Sequence, residues 1–191
     1  MADLSTGSPD TWTVRSIVVT MFPLLVALSA LEMGSGFVLE ELQETYLANP
    51  TLLIVVPVMI GMGGNLGAIL SARLSTQLHL GTLTFDLRGR TLWTNVAAVF
   101  SLAVTVFVLL GLAAWVVGHL VAAPMEMGTL LTITVVSGLS LTAVVVALSV
   151  SATYVSYRLR LDPDDTTIPV VTNVGDILGV VILSGVAVVV L

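Results

Sequence analysis

The chain lacks cysteine and lysine altogether, and only 9% of its 191 residues are charged. Without cysteine there can be no disulfide and no thiolate metal site, and redox chemistry gives no clue to the compartment. The six basic residues are all arginine, and twelve acidic residues bring the net charge to −6. A chain with this charge balance is a poor match for a polyanion, so we expect no nucleic-acid partner.

The sequence also lacks the short motifs of common enzymes. It contains no nucleophile elbow, no glycine-rich phosphate loop and no His-Glu-x-x-His helix. Its two histidines, His79 and His119, stand far apart without the spacing of zinc ligands. We therefore expect no enzymatic activity and predict no catalytic or cofactor-binding residue.

Apolar residues are present in excess. They make up 57% of the chain, against about 45 to 50% in a soluble domain, and the mean hydropathy is +1.09. This composition predicts an all-α, polytopic membrane protein, with the cell membrane as its expected location. Residues 1–13 are expected to be a disordered polar tail, and residues 14–191 a single transmembrane domain. Its five helices are predicted at about residues 14–38, 51–72, 92–118, 128–154 and 166–191.

Arginine placement predicts the orientation of these helices. Every arginine falls at the amino end of the first span, between the second and third, or between the fourth and fifth: Arg15, Arg73, Arg88, Arg90, Arg158 and Arg160. Because positive residues accumulate on the cytoplasmic side, the amino terminus is predicted to lie inside and the carboxyl terminus outside. A glutamate cluster, Glu40, Glu41 and Glu44, then faces outward.

The last predicted span carries a carboxylate in its interior. Asp176 lies ten residues past Thr166, where the helix is expected to begin, and this distance is roughly 15 Å along the helix. A charged Asp at that depth costs on the order of 2.5 to 3.5 kcal/mol. We interpret Asp176 as a cation site that faces protein or water, because intramembrane ionisable residues usually serve a function. A protonated or hydrogen-bonded structural Asp stays the alternative.

Other polar residues share a helix face with Asp176. Asp165, Pro169, Thr172 or Asn173, and Asp176 follow one another at spacings of three and four. Asp165 is equally suited to cap the helix and to match the charge of its amino end.

The second span contains a glycine cluster around one asparagine. Gly61, Gly63, Gly64 and Gly67 surround Asn65, and so many glycines are expected to weaken or open the helix. Asn65 lies ~12 Å from the predicted cytoplasmic end of the span, close to the predicted depth of Asp176. Asn65 and the freed carbonyls could hold the water shell of an ion, or Asn65 could join helices by hydrogen bonding.

Two segments resemble the MgtE magnesium transporters. Pro-Val-Met-Ile-Gly-Met-Gly-Gly-Asn-Leu-Gly at 57–67 is similar to the second transmembrane helix of that family, and residues 162–176 resemble its fifth. The eukaryotic MgtE-like solute carriers are more similar still. They share Gly-Asn-Leu at 64–66, a run like Ser-Ala-Arg-Leu-Ser-Thr at 71–76 and the end of the first span at 36–43.

The resemblance implies a transporter or channel for Mg2+, or for Mn2+ and other divalent cations, with two five-helix units around one pore. The family's Asp that matches Asp176 forms the ion site in each unit, near the asparagine that matches Asn65. Because Mg2+ sheds water reluctantly, we expect the Asp pair to bind a largely hydrated ion, with further acids concentrating cations at the pore mouths. The candidate metal-binding residues are Asp176, Asn65, Asn173, Thr172, Gly64, Asp165 and Asp162.

The chain also departs from the MgtE pattern. Ala68 and Ile69 stand where the family has a small hydroxyl residue and a glutamine, so we expect no polar role there. MgtE has cytosolic Mg2+-sensing domains, and we expect this protein to have none. Its gating is then expected to differ or to reside in a separate cytosolic regulatory protein. A single five-helix copy should be half of a pore, completed among membrane lipids by a second copy in a homodimer or by a paralogous half in a heterodimer.

Alternatives to a passive magnesium pore stay open. An exchanger that couples Mg2+ to Na+ or H+ could use Glu32, in the outer third of the first span, as a second ion or proton site, unless Glu32 only snorkels to the interface. A membrane-embedded, metal-dependent lipid enzyme would use the acids at 162–165, although such enzymes place several Asp along one helix. A non-conducting partner subunit would show the same sequence features.

Overall fold

A computed structural model describes residues 14–83, 89–121, 123–159 and 163–191. The tail over residues 1–13 and the candidate ligand Asp162 lie outside these ranges. Within them the chain forms helices and no strand, which confirms the predicted all-α class. The helices are α1 (Val14–Glu41), α2 (Gln43–Ala48), α3 (Pro50–His79), α4 (Arg90–Leu120), α5 (Met127–Leu159) and α6 (Pro163–Val190).

Five of these helices are long and apolar enough to cross a membrane. Their membrane-crossing stretches are Met21–Glu41, Pro50–His79, Arg90–Leu120, Met127–Leu159 and Thr167–Val190. The prediction of five spans is confirmed, and α2 is a short helix between the first two. The inward amino terminus and outward carboxyl terminus stay a prediction.

The helix α3 runs without a break from Pro50 to His79, although it contains Pro57 and the glycine cluster. The expectation that the glycines open the helix is therefore wrong. Gly63, Gly64 and Gly67 are buried against neighbouring helices, and this packing offsets the weak helix propensity of glycine. No turn is opened there to free backbone carbonyls for an ion. The glycines serve close packing instead.

Four helices form the body of the protein. α3 and α6 pack side by side at the centre, α5 contacts both, and α4 lies against α3 and α5. Buried apolar side chains from all four helices fill the space between them, including Leu52, Phe107, Leu141 and Leu183. On α5, Gly138 makes room for an aromatic ring, because a β-carbon there would lie 2.2 Å from the ring of Phe107. The contact of the Phe107 ring with Gly138 thus holds α4 close to α5.

The helix α1 stands apart from this four-helix body and packs on α6. Leu28 is buried in that contact, whereas Phe22, Met33 and Phe37 are 64%, 74% and 71% exposed. Large apolar side chains exposed on a membrane helix face lipid or another protein chain. The contact between α1 and α6 is therefore the main attachment of α1 to its own protomer.

A buried tyrosine ties α2 to α6. Tyr46 is 3% exposed, and its hydroxyl oxygen lies 2.7 Å from Ser184 Oγ in a hydrogen bond. Burial raises the pKa of Tyr46, and the hydrogen bond to Ser184 opposes that rise. The connection between the first two spans is thus anchored to the carboxyl-terminal half of α6.

A polar network joins α3 to α4 near the carboxyl end of α3. Arg73 Nε donates to Asn95 Oδ1 at 2.8 Å, and Asn95 Nδ2 donates to Gln77 Oε1 at 2.8 Å. Asn95 is 2% exposed, and both ends of its amide are paired, as a buried amide requires. Arg73 therefore makes a structural contact between α3 and α4.

Candidate cation site

Glycines bring the backbones of α3 and α6 together where the candidate site lies. A β-carbon at Gly175 would lie 3.4 Å from both Gly63 C and Gly64 N. One at Gly179 would lie 3.4 Å from Met59 O. Small residues permit helices to approach this closely in a membrane. A side chain that projects from α6 at this level is therefore pressed against the backbone of α3.

The carboxylate of Asp176 lies against Gly64. A β-carbon at Gly64 would lie 2.5 Å from Asp176 Oδ1 and 2.8 Å from Thr172 Cγ2, so the space accepts glycine alone. The Oδ1 atom is buried and has no hydrogen-bond partner among the described residues. An unpaired buried carboxylate oxygen is costly. The backbone of Gly64 partly stabilises this carboxylate, but no described side chain donates a hydrogen bond to it. A cation, a proton or water is therefore the expected partner of Oδ1.

A cavity of about 460 Å³ opens beside this carboxylate, between α1 and α6. Its polar lining consists of Asp176 on α6 and of Ser29, Glu32 and Ser35 on α1, and Ile60 of α3 contributes an apolar wall. At roughly 30 Å³ for each water molecule, such a volume holds several waters. Asp176 therefore borders a space large enough for a hydrated ion.

The structure brings some predicted ligands together. Gly64, Thr172 and Asp176 meet at the contact of α3 with α6. Asn173 is half-buried, and its Nδ2 donates to Pro169 O at 2.9 Å, which leaves Oδ1 as its remaining acceptor.

The remaining predicted ligands are Asn65, Asp165 and Asp162. Asn65 follows Gly64 directly, and its side chain is exposed on the surface of the protomer. Asp165 lies in the first turn of α6, and its side chain is outside the described part of the chain, as is all of Asp162. The metal-binding roles of the seven candidate residues stay predictions.

Glu32 is an acidic residue that lines this cavity and is not among the predicted candidate ligands. Spacing along one helix cannot show that Glu32 of α1 shares a cavity with Asp176 of α6. The signal in the sequence is an acidic residue within an apolar span, with Ser29 and Ser35 three positions before and after it. That spacing places the three side chains near one face of the helix.

The described residues contain no group of three or more His, Cys, Asp or Glu side chains that could hold a metal ion. One protomer therefore offers two carboxylates near the cavity rather than a complete metal cage. Such a site suits an ion that keeps most of its water, as Mg2+ does. It does not suit a structural zinc, which takes four protein ligands.

Comparison with known families decides the identity of the fold. The profile of the MgtE family, described as divalent cation transporter, matches residues 56–186. The chain belongs to the MgtE family. The MgtE match runs from α3 into α6 and includes both Gly64 and Asp176. With five apolar helices, this member of the family is a multi-pass membrane protein.

Two solute carriers are similar to this MgtE-family chain. Solute carrier family 41 member 3 of Mus musculus is 27% identical over 179 residues, which cover 85% of the chain and 36% of the relative. The Rattus norvegicus protein of the same name is 26% identical over 179 residues, covering 85% and 38%. The predicted likeness to solute carriers is confirmed. The chain spans less than two fifths of the length of these relatives.

Proposed function

We propose that this MgtE-family chain carries Mg2+ and related divalent cations across the membrane, through a pore on a two-fold axis between two copies. Asp176 from each copy binds a largely hydrated ion at that axis. One observation carries the proposal. The Oδ1 atom of Asp176 is buried beside Gly64, with no hydrogen-bond partner among the described residues.

Charge and hydration explain why such a site suits Mg2+. The ion keeps several water molecules and accepts only one or two carboxylates directly. Two copies of Asp176 supply two negative charges opposite a divalent ion. Charge balance matters more here than in water, because the low dielectric of the membrane interior strengthens every uncompensated interaction.

Side-chain exposure on the protomer supports assembly with a second half. Asn65 is exposed next to the site, and an amide in contact with lipid would leave its hydrogen bonds unmade. Met33 and Phe37 of α1 are exposed as well. A second copy in a homodimer, or a paralogous half in a heterodimer, would give Asn65 a protein or water environment.

Substitution of Asp176 tests the proposal in proteoliposomes that contain a Mg2+-sensitive dye. Asp176→Asn removes the charge and keeps the shape, so Mg2+ uptake driven by a membrane potential should fall to the level of empty vesicles. The elution volume and helical content should stay those of the unmodified chain. As a matched control, Glu126→Gln neutralises an exposed acid before α5 and should leave uptake unchanged.

The outcomes separate the hypotheses. Normal uptake by Asp176→Asn would contradict the proposed site. If the unmodified chain conducts nothing alone but conducts when a paralogue is present, the homodimeric pore is wrong and the chain is a partner subunit. A lipid enzyme is not proposed, because the family match is to transporters.

Coupled exchange is the second candidate function, and the position of Glu32 favours it. A second carboxylate in the same cavity could hold Na+ or H+ while Asp176 engages Mg2+. In the same vesicles, uptake that persists with equal Na+ and equal pH on both sides would indicate a channel. Uptake that requires either gradient would indicate an exchanger.

A further inference from the structure

We infer that each protomer has a cation site of its own in the cavity between α1 and α6, where Glu32 and Asp176 together hold a hydrated divalent cation. The inference rests on the proposed function, because it extends the Asp176 site by a carboxylate from another helix. It differs from a site on the two-fold axis because both carboxylates come from one chain.

The cavity collects polar side chains from two facing helices. Asp176 borders it from α6, and Ser29, Glu32 and Ser35 border it from α1. The spacing of three residues places both serines close to Glu32 on one side of α1. Ser35 Oγ donates to the backbone oxygen of Glu32 at 2.7 Å. The hydrogen of that hydroxyl is thus used within the helix, and its lone pairs are left to accept hydrogen bonds from water.

The charges in the cavity call for a cation. Glu32 and Asp176 line the same cavity, so their negative charges repel each other, and no basic side chain among the described residues forms an ion pair with either. Two like charges inside a membrane are costly unless a positive charge compensates them. Apolar side chains would stabilise the contact between α1 and α6 better, so helix packing does not account for the pair.

The volume of the cavity fits a hydrated ion. It measures about 460 Å³, whereas an ion with six waters occupies about 180 Å³ at roughly 30 Å³ per water. The remaining space admits further waters that can bridge the inner shell to the hydroxyls of Ser29 and Ser35. A divalent ion held in this way balances both carboxylates without losing its inner waters.

Binding of Mn2+ to the purified full-length chain in nanodiscs, followed by electron paramagnetic resonance, tests the inference. Glu32→Gln should weaken Mn2+ binding by at least about tenfold, because the affinity of carboxylate sites depends on the number of charged ligands. Glu32→Asp keeps the charge on a shorter side chain and should lose less affinity. Glu126→Gln, the matched control, should bind Mn2+ as the unmodified chain does.

Thermal unfolding separates a ligand from a structural residue. Without divalent ions, Glu32→Gln relieves repulsion inside the membrane, so its Tm should equal or exceed that of the unmodified chain. Added Mn2+ should raise the Tm of the unmodified chain more than that of the variant. Unchanged Mn2+ affinity in Glu32→Gln would overturn the inference, and so would failure of this variant to fold.

Failure of this inference can be told from failure of the proposed function. If Asp176→Asn abolishes uptake while Glu32→Gln binds Mn2+ and transports normally, the axial site stands and the site between α1 and α6 is wrong. If Asp176→Asn transports normally, both proposals fall.

Discussion

At the scale of single residues, the site depends on a glycine, Gly64, which has no side chain. Gly64 has no β-carbon, so the carboxylate of Asp176 and the methyl group of Thr172 can lie against the backbone of α3. Any larger residue would occupy the volume that the carboxylate now fills. Gly64 therefore fixes where the negative charge stands relative to the proposed ion path.

Gly64→Ala should impair both packing and transport. Its β-carbon would lie 2.5 Å from Asp176 Oδ1, so the carboxylate must rotate or α3 and α6 must separate. Overpacking of this kind costs about 1–3 kcal/mol. We expect a lower Tm and a large loss of Mg2+ uptake, measured on the same purified sample.

Gly185→Ala is the matched control for this substitution. A β-carbon at Gly185 of α6 would meet no atom within 4 Å, and alanine favours helix over glycine by about 1 kcal/mol. Its Tm should be unchanged or higher, with normal uptake. Equal behaviour of the two variants would show that crowding at Gly64 does not control the site.

The sequence reveals only part of this residue-level arrangement. An acid within an apolar span and a glycine cluster are visible along the chain, which is why Asp176 and Gly64 could be chosen as candidates. The meeting of Glu32 with Asp176 is not visible, because it depends on which face α1 turns toward α6. The expectation that the glycines open α3 is wrong for the same reason, because their burial depends on the neighbouring helices.

At the scale of helices, hydropathy predicts the five spans well and their connections poorly. α2 has only six residues, too few to show a helical period, and its place is set by the anchor of Tyr46 on α6. α3 continues to His79, beyond the apolar stretch predicted to end at residue 72. Arg73 ends the hydrophobic run, but nothing in Arg73 or its neighbours ends a helical backbone.

The anchor of α2 can be measured by a double-mutant cycle. Tyr46→Phe removes one partner of the hydrogen bond at 2.7 Å and should cost about 0.5–1.5 kcal/mol of unfolding free energy. Ser184→Ala removes the other partner. The double variant should cost less than the sum of the single variants, because the two side chains share one interaction. Additive costs would show that the hydrogen bond contributes nothing to stability.

Alkaline pH gives a second measurement on the same variants. Burial raises the pKa of Tyr46 above its ordinary value of 10.0, so the folded state holds the phenol proton more tightly than the unfolded state. The stability linked to this proton is complete below about pH 10 and is lost as the pH rises through the folded-state pKa. Tyr46→Phe should therefore lose less stability than the unmodified chain above that pH.

At the scale of the whole molecule, composition is sufficient for the class of protein but not for its assembly. The apolar runs predict an all-α membrane protein, because each run must bury its backbone polar groups in a helix. Composition does not predict how many copies surround a pore. That number depends on whether the exposed surfaces of α1 and Asn65 match the surface of a second chain, and the sequence of one chain does not show that match.

The predicted orientation can be tested because the native chain has no cysteine. Val121→Cys places a single thiol at an exposed position directly after α4, and Thr82→Cys places one at an exposed position in the connection between α3 and α4. An impermeant maleimide applied to intact cells should label Val121→Cys only, since arginine placement puts the connection at residue 82 inside. Both thiols should react after permeabilisation. Labelling of Thr82→Cys in intact cells would reverse the assigned orientation.

The single-sided attachment of α1 has a mechanical consequence. A helix held along one seam can tilt while the remaining bundle keeps its interior packing, and tilt is how spanning helices adapt to bilayer thickness. Since α1 carries Glu32, a thinner or thicker bilayer would shift that carboxylate relative to Asp176. Lipid composition would thereby change the distance between the two carboxylates of the proposed cation site.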